Sequence, residues 1–113
     1  MELKFADYGQ NRAVDCTDEE REIYDIIRSL LDDYNLESDV LCLVRKSNDY
    51  VSACMESSGD YGQMDLARIK YTSRAKWIKI CPDFKKITLT DPEDVTKYIE
   101  DLCAGYRFNE PYL

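Results

Sequence analysis

Apolar positions recur along this chain with two different periods. In TDEEREIYDIIRSLLDDY (residues 17–34), Ile23, Ile26, Ile27, Leu30, Leu31 and Tyr34 fall at helical spacing and make one stripe. Thr17 and Glu20 stand three apart in a capping-box pattern, and Asp18 and Glu19 suit the positive end of a helix. Asn35 is a natural stop. A second helical stripe, Val95, Tyr98, Ile99, Leu102 and Cys103, lies in DPEDVTKYIEDLCAG (91–105). There Asp91 can cap, Pro92 takes the first helical position, and Gly105 marks the expected end.

Between these helices the period shortens to two. DVLCLVRK and YVSACMES flank the turn-forming Ser47-Asn48-Asp49 and predict a hairpin. MDLARIKYT, KWIKIC and KKITLT predict three more strands, punctuated by residues 73–75 and by Pro82-Asp83. SSGDYGQ (57–63) is a looser connection with two glycines. Leu3 and Phe5 could alternate in a short strand within an N-terminal lead, residues 1–16, and the aromatic tail YRFNEPYL (106–113) is expected to dock on the domain.

The predicted order is helix, five strands, helix. Short connections make the strands mainly antiparallel. Helices segregated from strands give an α+β two-layer domain, with both helices on one face of the sheet. A single domain over residues 1–113 fits the length. Alternation sends Val51, Ala53, Met55, Ala67, Ile69, Tyr71, Ile78, Ile80, Ile87 and Leu89 inward. It leaves Tyr50, Ser52, Cys54, Arg68, Lys70, Thr72, Trp77, Lys79, Cys81, Lys86 and Thr88 on the other face, expected to be open to water or to a partner. The run Val40–Val44 is apolar on both sides and predicts a first strand buried on both faces.

Composition narrows the chemistry. Histidine is absent, which removes the usual general base, transition-metal ligand and pH sensor. The five cysteines, Cys16, Cys42, Cys54, Cys81 and Cys103, contain no CxxC pair. They read as small core residues in a reducing cytoplasm rather than a disulfide framework or zinc site. No apolar run approaches the ~20 residues of a membrane helix, and MELKFADYGQ lacks the layout of a signal peptide. No P-loop or GxGxxG motif occurs. No catalytic, cofactor-binding or metal-binding residue is assigned.

Charge is the informative feature. The net charge is −8. Yet residues 67–86 carry seven of the fifteen Lys and Arg against the single acid Asp83. These cations fall largely on the outward face of neighbouring strands. Tyr50, Arg68, Lys70, Trp77, Lys79 and Lys86 are the candidate basic binding residues: cations neutralise phosphates and exposed aromatics stack bases. Outward lysines also simply discourage edge aggregation, and the overall acidity opposes long-range attraction to DNA. On the first helix Asp18, Glu22, Asp25 and Asp32 form an outer acidic stripe, a candidate surface for a basic partner. With its closest neighbours about 5–6 Å apart, such a row can imitate a phosphate backbone, though a solvated helix face looks the same. In an enzyme the 57–63 loop could present Asp60 as a base. The reading favoured is a cytoplasmic, non-enzymatic protein–protein interaction module acting as adaptor or inhibitor, with no cofactor. Nucleic-acid binding through the basic face comes second, and ligand binding or catalysis at the loop third. A second copy of the chain is among the candidate partners.

Overall fold

The structure, a computed structural model, describes residues 15–45, 47–57 and 62–113. The expected N-terminal strand around Leu3 and Phe5, and Asp60 of the loop, lie outside the described residues.

Helix α1 spans Asp18–Asp33. Its capping box is closed: the Glu20 N–H donates to Thr17 Oγ1 at 3.1 Å and the Thr17 N–H to Glu20 Oε1 at 2.9 Å. At the other end Asn35 takes φ 62°. The Asn35 N–H donates to Asp32 O and the Leu36 N–H to Leu31 O. This is a Schellman ending, with Asn in the left-handed place that glycine usually takes.

Five strands follow: β1 Leu41–Arg45, β2 Val51–Glu56, β3 Gln63–Tyr71, β4 Lys76–Ile80 and β5 Lys85–Thr88. They form one sheet in the order β1-β2-β3-β4-β5, and each neighbouring pair is antiparallel. The chain then runs through a 3-10 helix, Pro92–Tyr98, into α2, Ile99–Asn109. The architecture is α+β. Ile23, Ile27 and Leu31 of α1 share one core with Leu102 and Tyr106 of α2 and with Leu43, Ala53, Ile69, Ile78 and Ile80 of the sheet. Those strand residues share one face, so both helices cover that face.

Thr17 and Glu20 also tie α1 to the sheet. The Tyr71 N–H donates to Glu20 Oε2 at 2.8 Å, and the Thr17 hydroxyl donates to the Tyr71 carbonyl at 2.8 Å. Arg45 lies 3.6 Å from Glu20 Oε1. One carboxylate, 2% exposed, thus serves a helix start and a strand end.

The structure departs from the sequence pattern in three places. First, the second helix does not stop at Gly105. A Cβ there would stand 2.7 Å from the Cys81 carbonyl. Glycine is needed for close packing of helix on sheet, and the expected tail supplies the last turn of α2. Tyr106 and Asn109 are buried there. The Tyr106 hydroxyl donates to the Glu37 carbonyl at 2.9 Å, and the Asn109 amide donates to the Asp65 carbonyl at 3.3 Å. The early part of the predicted helix is 3-10, started by a capping box of Asp91 and Asp94 with Pro92 at the first turn.

Second, β3 carries a bulge. Ala53 pairs with Ala67 but Cys54 pairs with Asp65, so Leu66 is the extra residue. Strict alternation would expose Leu66 and turn Asp65 into the core, where an unpaired charge is costly. The bulge instead buries Leu66 and Ala67 together in the core.

Third, the second sheet face is not open across its width. Cys42, Val44 and Cys54 form a separate buried cluster on it, and Ser52 is fully buried. β1 is buried on both faces, as its continuous apolar run predicts.

Candidate functional site

The basic candidates are set out by the β3–β5 ladders. Arg68 pairs with Lys79, Lys79 with Lys86, and Lys70 with Trp77. Each alternates with a core residue, so the six basic-face candidates gather on the face away from the helices. Like charges directly opposed across an antiparallel ladder are destabilising, and each cation here is handled differently.

Arg68 is neutralised locally. Its Nε lies 2.9 Å from Asp65 Oδ2. Residues three apart in a regular strand point to opposite faces; the bulge at Leu66 puts these two on one side. The Arg68 guanidinium carbon sits 4.0 Å from the Phe84 ring centroid and 5.5 Å from that of Tyr50, within cation–π reach. Phe84 belongs to the β4–β5 turn at φ 53°. Sequence reasoning missed it; its place beside Pro82-Asp83, two residues before Lys86, was the available signal. Lys70 Nζ reaches across to the first hairpin, 2.8 Å from Asp49 Oδ1 and 2.9 Å from the Asp49 carbonyl. That hydrogen bond, helped by the charges of Lys70, Lys79 and Lys86, holds the Asp49 carboxyl below the usual carboxylate range.

Trp77 lies on the expected face but is only 5% exposed. Its ring is 6.3 Å from Tyr50, and Lys79 Nζ lies 4.7 Å from its centroid. A ring so covered offers no plane to an incoming base, which corrects the expectation of an exposed aromatic. Lys79 and the exposed Lys86 form no ion pair among the described residues. Among the described residues the basic face therefore reduces to two lysines without an ion pair beside two ion-paired cations.

The acidic candidates have a simpler setting. Asp18, Glu22, Asp25 and Asp32 are all exposed on α1, and none forms an ion pair among the described residues. The helix holds seven acids against Arg21 and Arg28, a net charge of −5. Arg28 donates to the Tyr24 hydroxyl at 3.1 Å and lies 3.7 Å from Asp39, and it also feels the charge of Asp32. Burial raises the Tyr24 phenol above its ordinary pKa, and the Arg28 hydrogen bond partly offsets that. Glu22 and Asp25 rim a shallow groove of about 310 Å³, floored by the half-buried Ile26 and Leu30 and closed on one side by Thr96.

Of the 57–63 loop, Ser57, Gly62 and Gln63 are described; the Ser57 N–H donates to the Gly62 carbonyl, and Ser57 Oγ to the Tyr112 carbonyl at 2.7 Å. Among the described residues no three Cys, Asp or Glu side chains gather as metal ligands, and no helix is long and apolar enough to cross a membrane. No protein-family model, curated protein or solved structure matches this chain.

Proposed function

We propose that this chain is a non-enzymatic interaction module that binds a basic surface of another protein through the outer face of α1. The observation that carries this reading is the exposed row Asp18, Glu22, Asp25 and Asp32, which forms no ion pair among the described residues and of which Glu22 and Asp25 rim an apolar groove. A partner of matching chemistry would present lysines or arginines to the rim and one apolar side chain to Ile26 and Leu30. Where that partner normally holds nucleic acid, the acidic row would occupy its phosphate sites. The inhibitor and adaptor readings differ only in whether the partner's own ligand is displaced.

A second reading keeps the sheet face as a polyanion site. It is favoured by Lys79 and Lys86, which oppose each other directly in the register and form no ion pair among the described residues. The burial of Trp77 and the pairing of Lys70 and Arg68 speak against an extended nucleic-acid footprint there. A gel-shift titration against single- and double-stranded DNA and RNA at low salt separates the two. The first reading expects no shift. A shift that weakens steeply with salt and is lost when Lys79 and Lys86 are changed to Glu would establish the second instead.

A further inference from the structure

Neither charged surface uses the buried polar cluster on the second sheet face. Cys42 and Cys54 are direct Cα partners in the β1–β2 ladder, so their side chains share a face. Directly opposed antiparallel residues have Cα atoms about 4.5 or 5.5 Å apart. Both distances fall in the range a disulfide spans, roughly 4.4–6.8 Å. Both residues are present as thiols and are 1% and 0% exposed. The other cysteines lie elsewhere: Cys16 before α1, Cys81 in the β4–β5 turn, Cys103 in α2. Burial pushes the Cys16 and Cys81 thiols up.

The bulge adds chemistry to this pair. By dropping Leu66 out of register it sets Asp65 opposite Cys54. The Cys54 thiol lies 3.4 Å from Asp65 Oδ1 and 3.5 Å from Ser52 Oγ. Gln63 Nε2 stands 3.6 Å from Cys42 Sγ as a donor. A carboxylate whose other oxygen is held by Arg68 at 2.9 Å thus faces one sulfur, and an amide N–H faces the other, where it suits developing negative charge.

We propose that Cys42 and Cys54 form a redox-active dithiol that exchanges with low-molecular-weight disulfides such as oxidised glutathione, with Asp65 as proton acceptor. The Cys54 proton passes to Asp65, and the thiolate attacks one sulfur of the external disulfide. A mixed disulfide forms and one thiolate leaves, taking up the proton that Asp65 holds. Cys42 then attacks Cys54 Sγ as its own proton goes to the second leaving thiolate. Two protein thiols become one disulfide, and the external disulfide is reduced to two thiols. The cluster stands beside the end of the β2–β3 ladder, where Glu56 pairs with Gln63. Local opening of that end admits the reagent, so exchange is slower than at an exposed thiol.

The test is exposure of the full chain to excess oxidised glutathione, acid quenching, thiol titration and non-reducing peptide mapping. The expected result is two thiols fewer, one cross-linked peptide joining Cys42 to Cys54, and full reversal by a thiol reductant. Cys42→Ala should stall with a glutathione adduct on Cys54. Asp65→Asn should slow the reaction by about tenfold or more near neutral pH, and the gap should narrow as pH rises and hydroxide takes over deprotonation of the thiol. That convergence is not expected of a merely structural carboxylate. Retention of all five thiols, a cross-link between any other pair, or no adduct on Cys54 in Cys42→Ala would overturn the proposal.

Discussion

Glu20, Gly105 and Asp94 are single residues with roles that composition does not display. Glu20 accepts from two backbone N–H groups, of Thr17 and Tyr71. Glu20→Ala leaves both without that acceptor, at about 1–3 kcal/mol for a buried unsatisfied group. Glu20→Gln keeps only one acceptor oxygen and should fall between wild type and Ala in denaturant midpoint. Gly105→Ala pits two effects against each other. Helix propensity favours Ala by about 1 kcal/mol, while forcing a methyl into a packed interface costs about 1–3 kcal/mol. With a backbone carbonyl at 2.7 Å the steric term wins, so this substitution should lower the midpoint.

Asp94 gives a pH dependence. The backbone N–H groups of Thr90 and Asp91 hold its carboxyl below the usual range. A pKa lower in the fold than in the unfolded chain means the ionised form favours folding. The contribution is full above the unfolded value near 4 and is lost as pH falls through the folded value. The difference in melting temperature between wild type and Asp94→Ala should therefore shrink below about pH 4.

At the scale of elements, period and capping chemistry were legible because each rests on local rules. The stripe of α1, the Thr17–Glu20 box and the alternation of β2, β4 and β5 need nothing beyond neighbours in sequence. What was not legible depends on contacts across the fold. Gly105 reads as a helix stop until the sheet is packed beneath it, and the Leu66 bulge follows from the cost of turning Asp65 into the core. The site was legible to the same degree: alternation placed Arg68, Lys70, Trp77, Lys79 and Lys86 on one face. It could not show that Asp65 and Asp49 reach Arg68 and Lys70, that Phe84 lies over Arg68, or that Trp77 is covered. Leu66→Ala tests the bulge. A fully buried leucine costs about 2–5 kcal/mol on truncation, whereas an outward strand residue, as strict alternation would have it, costs less than about 0.5 kcal/mol.

For the whole molecule, the consequence is two faces of unlike charge separated by a core. Among the described residues the helical side is acidic and its outer row forms no ion pair, while the sheet side is basic and partly neutralised by its own acids. An exposed acidic row governs encounter with a basic surface and makes it salt-dependent; the apolar floor of Ile26 and Leu30 supplies the remainder. The most direct test is affinity capture from nuclease-treated extract of the native host by three immobilised forms, eluted by a salt gradient. These are wild type, a variant with Asp18, Glu22 and Asp25 changed to Lys, and a variant with Lys79 and Lys86 changed to Glu. All five substitutions are at surface positions and should leave the fold intact by circular dichroism. The account predicts that wild type and the sheet variant retain the same basic protein and that the helix variant loses it. Capture that survives reversal of α1, or that vanishes with the sheet variant or with nuclease, would contradict it.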